Sequence, residues 1–259
     1  MKYLIVGRSG TGKDTLANLL VKKGLTVLKS YTTRPRRYEK EDTHEFITPD
    51  EAALKTGKIA TTVINGYEYF ATKAQLEACD VYIIDPNGLY ELVQNCPEIS
   101  FHTVFLTADE KTLRNRAVNR GADKTREADI YDARKASEDT QFSLFEEEIQ
   151  CRKLIAENAS VVYQHQNILG TSDLENFAAY LYGQRLLFQN LLYITKQSID
   201  LGIIIQESKG EAMVASESGE RRSVPLEQFV DMLLGNKEGF EMLMHSYLSS
   251  TLVYDNIEG

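Results

Sequence analysis

The sequence predicts an α/β fold whose parallel sheet is covered by helices on both faces. Short apolar runs alternate with amphipathic stretches over residues 1–180, and a glycine-rich turn joins the first such run to the first such stretch. Composition agrees. The 259 residues are 42% hydrophobic and 26% charged, the balance of a globular chain able to bury a sizeable core.

The elements follow in order. Tyr3-Leu4-Ile5-Val6 is a buried strand, the turn follows, and Lys13 to about Lys23 is a helix. Val81–Asp85 is a second strand, closed by a Pro86-Asn87-Gly88 break and then a helix. His102–Leu106 is a third, followed by a charged helix over Asp109–Arg120. Val161–Tyr163 is a fourth, and Leu174–Leu187 is helical by its apolar spacing. The stretch from Ser30 to Thr72 breaks this rhythm and reads as an insertion, taken as 30–75, while the polar residues 121–133 suit a mobile flap, taken as 116–134.

From residue 181 the alternation fades into a mainly helical extension, 181–259, with 6 basic and 11 acidic residues. Gly202–Ile205 and Met213–Val214 read as short strands, Pro225–Leu234 and Phe240–Leu248 as amphipathic helices. Packing onto the core, a homodimer surface and a partner site all stay open for it.

Several function classes are excluded or disfavoured. A net charge of −9 argues against nucleic-acid binding as the main activity. No apolar run approaches the roughly 20 residues that cross a bilayer, and the start lacks a secretory h-region. Cys79, Cys96 and Cys151 form no CxxC and read as reduced thiols of a cytoplasmic protein. His102 and His165 have no second ligand at a metal spacing.

Gly7-Arg8-Ser9-Gly10-Thr11-Gly12-Lys13 follows a strand and opens a helix, the context a Walker A match requires, and makes the expected architecture a P-loop NTPase fold. Glycines let successive N–H groups converge on an anion, the helix N-terminus adds partial positive charge, and Lys13 bridges the outer phosphates. The motif normally ends in Ser or Thr on Mg²⁺; here Asp14 and then Thr15 stand there. Either is an oxygen donor for the metal, and Asp14 also reads as a charge complementing the helix dipole. Residues 7–15 are thus the expected ATP site.

Ser30-Tyr31-Thr32-Thr33-Arg34-Pro35-Arg36-Arg37 sets three arginines in four positions with no acid among them. Guanidinium forks grip phosphate bidentately, so this is a second oxyanion site.

With these segments, DTHEFIT at 42–48, NGYEYFAT at 65–72, IDPNG at 84–88 and RAVNRG at 116–121, the first 180 residues resemble the guanylate kinase family of nucleoside monophosphate kinases. The resemblance implies ATP as phosphoryl donor, Mg²⁺, and a nucleotide acceptor whose phosphate meets Ser30, Arg34 and Arg37. A tyrosine position there falls on His44, with Phe46 the competing choice; Tyr69 falls on a second. Thr72, or Ala71 one residue away, falls on a hydroxyl residue at the base. Asp85 matches an acid near metal and acceptor. Arg116, Arg120 and Arg134 resemble arginines that close over the phosphates, Arg126 competing with Arg134. Lys13, Arg34 and these three are the expected catalytic set.

The sequence departs from the family at Ala60, where a glutamate would bond the guanine edge, and at Ile83, where a second acid often lies. A polar base edge left unpaired costs about 1–3 kcal/mol, enough to erase roughly tenfold or more of guanine preference. Two other readings stay open: a kinase of another phosphorylated metabolite, and a non-catalytic nucleotide-binding regulator. Tyr67, Tyr69 and Phe70 could otherwise be plain core aromatics.

Overall fold

A computed structural model of the protein describes residues 1–36, 38–64, 66–96, 99–119, 124–150, 161–167, 170–200, 204, 210–215 and 220–255. Two compact units emerge: Lys2–Pro97 with Phe101–Tyr180, and Met1 with Glu98–Ser100 and Leu181–Gly259.

The first unit opens with β1 (Lys2–Gly7), α1 (Lys13–Val21) and β2 (Val27–Leu28). The insertion follows as β3 (Tyr31–Thr32), β4 (Glu45–Phe46), α2 (Pro49–Ala53), β5 (Lys58–Ile64), β6 (Tyr67–Thr72) and α3 (Lys73–Ala78). Then come β7 (Val81–Ile83), α4 (Pro86–Asn95), β8 (Phe101–Thr107), α5 (Glu110–Val118), α6 (Lys124–Gln150), β9 (Val161–Gln166) and α7 (Thr171–Asp200), the last running past Tyr180 into the second unit's residues.

The main sheet has the order β2-β7-β1-β8-β9, and every pairing is parallel. β1 sits at its centre, Ile5 opposite both Ile83 and Val104. Tyr3, Leu4, Ile5 and Val6 have no exposed surface, which is why that strand reads as an unbroken apolar run. The strands' carboxyl ends deliver Gly7, Asp85 and Thr107 to one edge, where open α/β sheets bind ligands. The insertion is a separate four-stranded sheet, β4-β3-β6-β5, with a bulge in β5 between Ile59 and Thr62.

Two sequence expectations are corrected. Pro86-Asn87-Gly88 does not break the chain but starts α4: proline fits a first helical turn, and Asp85 caps it by accepting the Gly88 amide. The flap expected over 121–133 is helix from Lys124 onward. Its polar start hides an anchoring stripe further on, where Tyr131, Phe142 and Phe145 are buried. Phe145 meets Phe105 and Tyr90 edge-on at 5.3 and 6.2 Å.

In the second unit, β10 (Glu211–Ala215) pairs antiparallel with β11 (Arg221–Pro225), followed by α8 (Leu226–Gly235) and α9 (Lys237–Asp255). Phe188, Leu191 and Val230 form its core, and buried Asp231 accepts the Ser100 hydroxyl at 2.6 Å. The strand expected over Gly202–Ile205 lies outside the described residues apart from Ile204. Among the described residues, no helix is long and apolar enough to cross a membrane.

Candidate functional site

The glycine-rich turn is shaped by left-handed backbone at Gly10 (φ 93°) and Gly12 (φ 104°), conformations that strain any other residue. Space is as tight as backbone: a Cβ at Gly7 would lie 2.5 Å from the Leu106 carbonyl oxygen, and one at Gly12 2.7 Å from the Asn167 amide nitrogen. Asn167, 2% exposed, donates to the Thr11 carbonyl at 2.7 Å and accepts the Gly170 amide at 3.0 Å. Sequence reasoning missed this residue, because an asparagine just past a strand carries no motif of its own.

Lys13 Nζ folds back over the turn, donating to the Gly7 and Arg8 carbonyls at 2.6 and 3.0 Å. Asp14 is exposed and Thr15 half-buried at the start of α1. Among the described residues, no group of three His, Cys, Asp or Glu side chains is placed to hold a metal. Asp14 and Thr15 offer the hard oxygen donors that a Mg²⁺ ion would take.

Arg116 sits in α5 and braces the turn, donating to the Gly10 and Asn167 carbonyls, both at 3.1 Å. Arg134 reaches the turn from α6 and donates to Ser9 Oγ at 2.9 Å. Arg120 lies outside the described residues, as does the Arg126 side chain.

α6 lays acids on the same turn. The Ser9 amide donates to both carboxylate oxygens of Glu138 at 3.2 Å. Arg8 pairs with Asp139, and with Glu146 at 3.2 Å, while stacking over Phe142 at 5.3 Å. Burial opposes the Arg8 charge, yet hydrogen bonds to Glu146 and Asp139 outweigh it and hold the guanidinium pKa above its ordinary value. Arg8, Ser9, Glu110, Tyr131, Arg134 and Glu138 help line a cavity of about 320 Å³ here.

The insertion sheet gathers a second constellation. Ser30 Oγ and His44 Nδ1 are hydrogen-bonded at 3.0 Å, and the His44 ring meets Tyr69 edge-on at 5.5 Å. Arg34 Nε donates to the Tyr69 hydroxyl at 3.2 Å. Ser30, Arg34, His44 and Tyr69 are therefore brought together, while Phe46 lies under the Arg34 and Arg36 guanidiniums at 5.2 and 4.3 Å. Arg37 lies outside the described residues.

Glu41, missed by the sequence reading, occupies the Arg34 fork. Its carboxylate, 2% exposed, accepts from Arg34 at 2.8 and 3.2 Å and from the Thr43 hydroxyl at 3.3 Å. Desolvation opposes the Arg34 charge, but bonds to Glu41 and Tyr69 raise its pKa overall.

Thr72 is spent on structure: it caps α3 in a reciprocal pair with Gln75. Asp85, besides capping α4, accepts the Thr62 hydroxyl at 2.9 Å and the Gln141 amide at 2.8 Å. Ala60 sits in the β5 bulge with a left-handed φ of 52° and 2% exposure. A larger side chain there meets strain and no room. A carboxylate comes close by another route, since the Thr61 amide donates to Glu91 of α4 at 2.7 Å.

The AAA domain model matches residues 4–142, more than half of the chain. The chain belongs to the AAA domain family. The matched AAA domain segment takes in the glycine-rich turn, the arginine segment and α6 as far as Phe142, so Arg134, Glu138 and Asp139 are inside it and Asn167 is not. Among solved structures, the crystal structure of guanylate kinase from Anaplasma phagocytophilum is similar at 18% identity over 72% of this chain and 85% of that chain, with a TM-score of 0.46. No curated protein matches.

Proposed function

We propose that the chain is an ATP-dependent kinase of a nucleoside monophosphate, related in plan to guanylate kinase. The observation that carries this reading is the Asp85 carboxylate, which joins Thr62 of the insertion sheet to Gln141 of α6, the helix seated on the glycine-rich turn. Under this reading the elements that carry the two arginine-bearing sites are tied through one side chain, as end-to-end phosphoryl transfer favours.

Under this reading, residues 7–13 cradle the donor's outer phosphates and Lys13 turns from its carbonyl partners to bridge them. Asp14 and Thr15 hold Mg²⁺, which supplies charge neutralisation when bound. Ser30, Arg34, His44 and Tyr69 hold the acceptor's phosphate, Arg34 exchanging one anion for another as it leaves Glu41. The acceptor phosphate is itself the nucleophile, so no strong base is required. Arg134 stands at Ser9, where transition-state charge develops. Arg116, which the resemblance places among the arginines that close over the phosphates, also braces the turn through the Gly10 and Asn167 carbonyls.

The base of the acceptor is not guanine by default, because Ala60 offers no acceptor atom; Glu91, bonded to the Thr61 amide, is a carboxylate beside that position. The test is ATP turnover across the nucleoside monophosphates and a panel of phosphorylated metabolites. Turnover with one nucleotide is the expected result. Turnover only with a non-nucleotide replaces the acceptor, and none with any compound rejects phosphoryl transfer.

A further inference from the structure

We propose that Glu138 is an internal anion seated on the donor turn, competing with the incoming phosphate for the Ser9 amide. The inference rests on the donor-site reading above and deepens it into a control of donor affinity. Backbone N–H groups of such a turn are the donors that cradle phosphate. Here the Ser9 N–H is already taken, by both Glu138 carboxylate oxygens at 3.2 Å, and the bond is charge-assisted.

The seat is built by the helix and not by one wandering side chain. One turn before Glu138, Arg134 donates to Ser9 Oγ at 2.9 Å. One residue after it, Asp139 pairs with Arg8, and two turns further Glu146 takes the same guanidinium at 3.2 Å. Phe142 lies beneath Arg8, and Phe145 has no exposed surface. These contacts fix α6, so the carboxylate stays poised at the amide while its own rotamer remains the free variable. Glu138 is half-buried and lines the cavity of about 320 Å³ beside the turn, which gives the side chain somewhere to go.

Charge sharpens the argument. The cavity wall carries Arg8, Arg134 and Lys135 against Glu110, Glu138 and Asp139, three of each sign. A phosphate arriving with Glu138 in place meets no net attraction from the cavity wall and finds the Ser9 amide taken. With Glu138 turned away it gains both. Apparent donor affinity is therefore reduced by the fraction of molecules in which the amide is free.

Calorimetric titration of the full chain with magnesium and the non-hydrolysable AMP-PNP tests this. Glu138→Ala should bind roughly tenfold tighter than the unmodified chain, the worth of one charge-assisted hydrogen bond. Glu138→Gln keeps the shape and should tighten less, in the same direction. Glu110→Gln removes one charge from the same wall without touching the turn and should change affinity less than about threefold. Equal tightening in Glu110→Gln and Glu138→Ala would mean a general field effect and overturn the proposal, as would unchanged or weaker binding in both Glu138 variants. Magnesium tripolyphosphate separates this outcome from failure of the nucleotide reading. If it binds, and binds tighter to Glu138→Ala, while AMP-PNP gives no heat, the competition stands and the nucleotide falls. If neither probe binds any form, both readings fall.

Discussion

Arg34 carries a conflict that decides how the acceptor site must be probed. Its Nε holds Tyr69, and its two terminal nitrogens hold Glu41 and the Pro35 carbonyl. Simple truncation does two things at once. Arg34→Ala removes the acceptor contact and also takes the guanidinium away from a buried carboxylate, so we expect a loss of roughly 3 kcal/mol in denaturant-measured stability beside a raised acceptor KM and a lowered kcat. Arg34→Ala combined with Glu41→Ala should recover most of the stability and none of the acceptor binding. If the double variant regains normal KM, Arg34 is a structural partner of Glu41 and the acceptor site lies elsewhere. Ala60 teaches a related caution. Read from the sequence, Ala60→Glu would restore a guanine contact; at 2% exposure and positive φ it instead forces a long acid into a bulge.

At the scale of elements, caps and carboxylates do most of the positioning, and two caps make a controlled comparison. Asp85 caps α4 and also ties β5 to α6, whereas Asp109 caps α5 through Thr112 alone. Asp85→Ala should cost about 1 kcal/mol for the cap and, in steady-state kinetics, at least tenfold in kcat/KM, because the two anion sites lose their link. Asp109→Ala should weaken its helix and leave kcat/KM within a factor of about two; equal kinetic losses would make the Asp85 junction irrelevant. Asp109 also fixes a pH sign. Hydrogen bonds from the Thr112 hydroxyl and amide hold its carboxyl below the usual range. That contribution is full above the unfolded pKa of about 4 and disappears as pH falls through the lower folded value. Strands β1, β7, β8 and β9 and helix α1 were legible because buried parallel strands are apolar runs and glycine spacing marks the turn, whereas the two-residue β2 and the individual strands of the insertion were too short or too polar to be read. The start of α4 was misread because proline looks the same in a break and in a first helical turn. α6 was half-hidden because its first residues are polar and two of its three buried anchors, Phe142 and Phe145, come more than four turns later. Glu41, Glu138 and Asn167 were invisible for a different reason: each acts through a contact that only folding creates.

At the scale of the whole molecule, a chain of net charge −9 is expected to bind two polyanions. Long-range attraction cannot be the source of affinity, since the cations of the donor cavity are matched by acids within it. Affinity must come from short-range donors, the turn's amides above all, together with Lys13. This gives a measurable consequence for global stability. A ligand that binds only the folded state at about one hundred times its Kd adds about 2.7 kcal/mol. For a chain of this size, that stabilisation is roughly 5–10 °C in the thermal midpoint. Magnesium with AMP-PNP should therefore raise Tm by that amount, and the rise should vary little between low and moderate salt, because contact bonds are screened far less than distant charges. Lys13→Ala should keep the unliganded Tm within about 2 °C, since the bonds from Lys13 to the Gly7 and Arg8 carbonyls are made within the turn itself, and should abolish the ligand shift. A Lys13→Ala chain that is stabilised as much as the unmodified one would show that the nucleotide sits away from the glycine-rich turn, and a shift that collapses with modest salt would return the affinity to long-range charge.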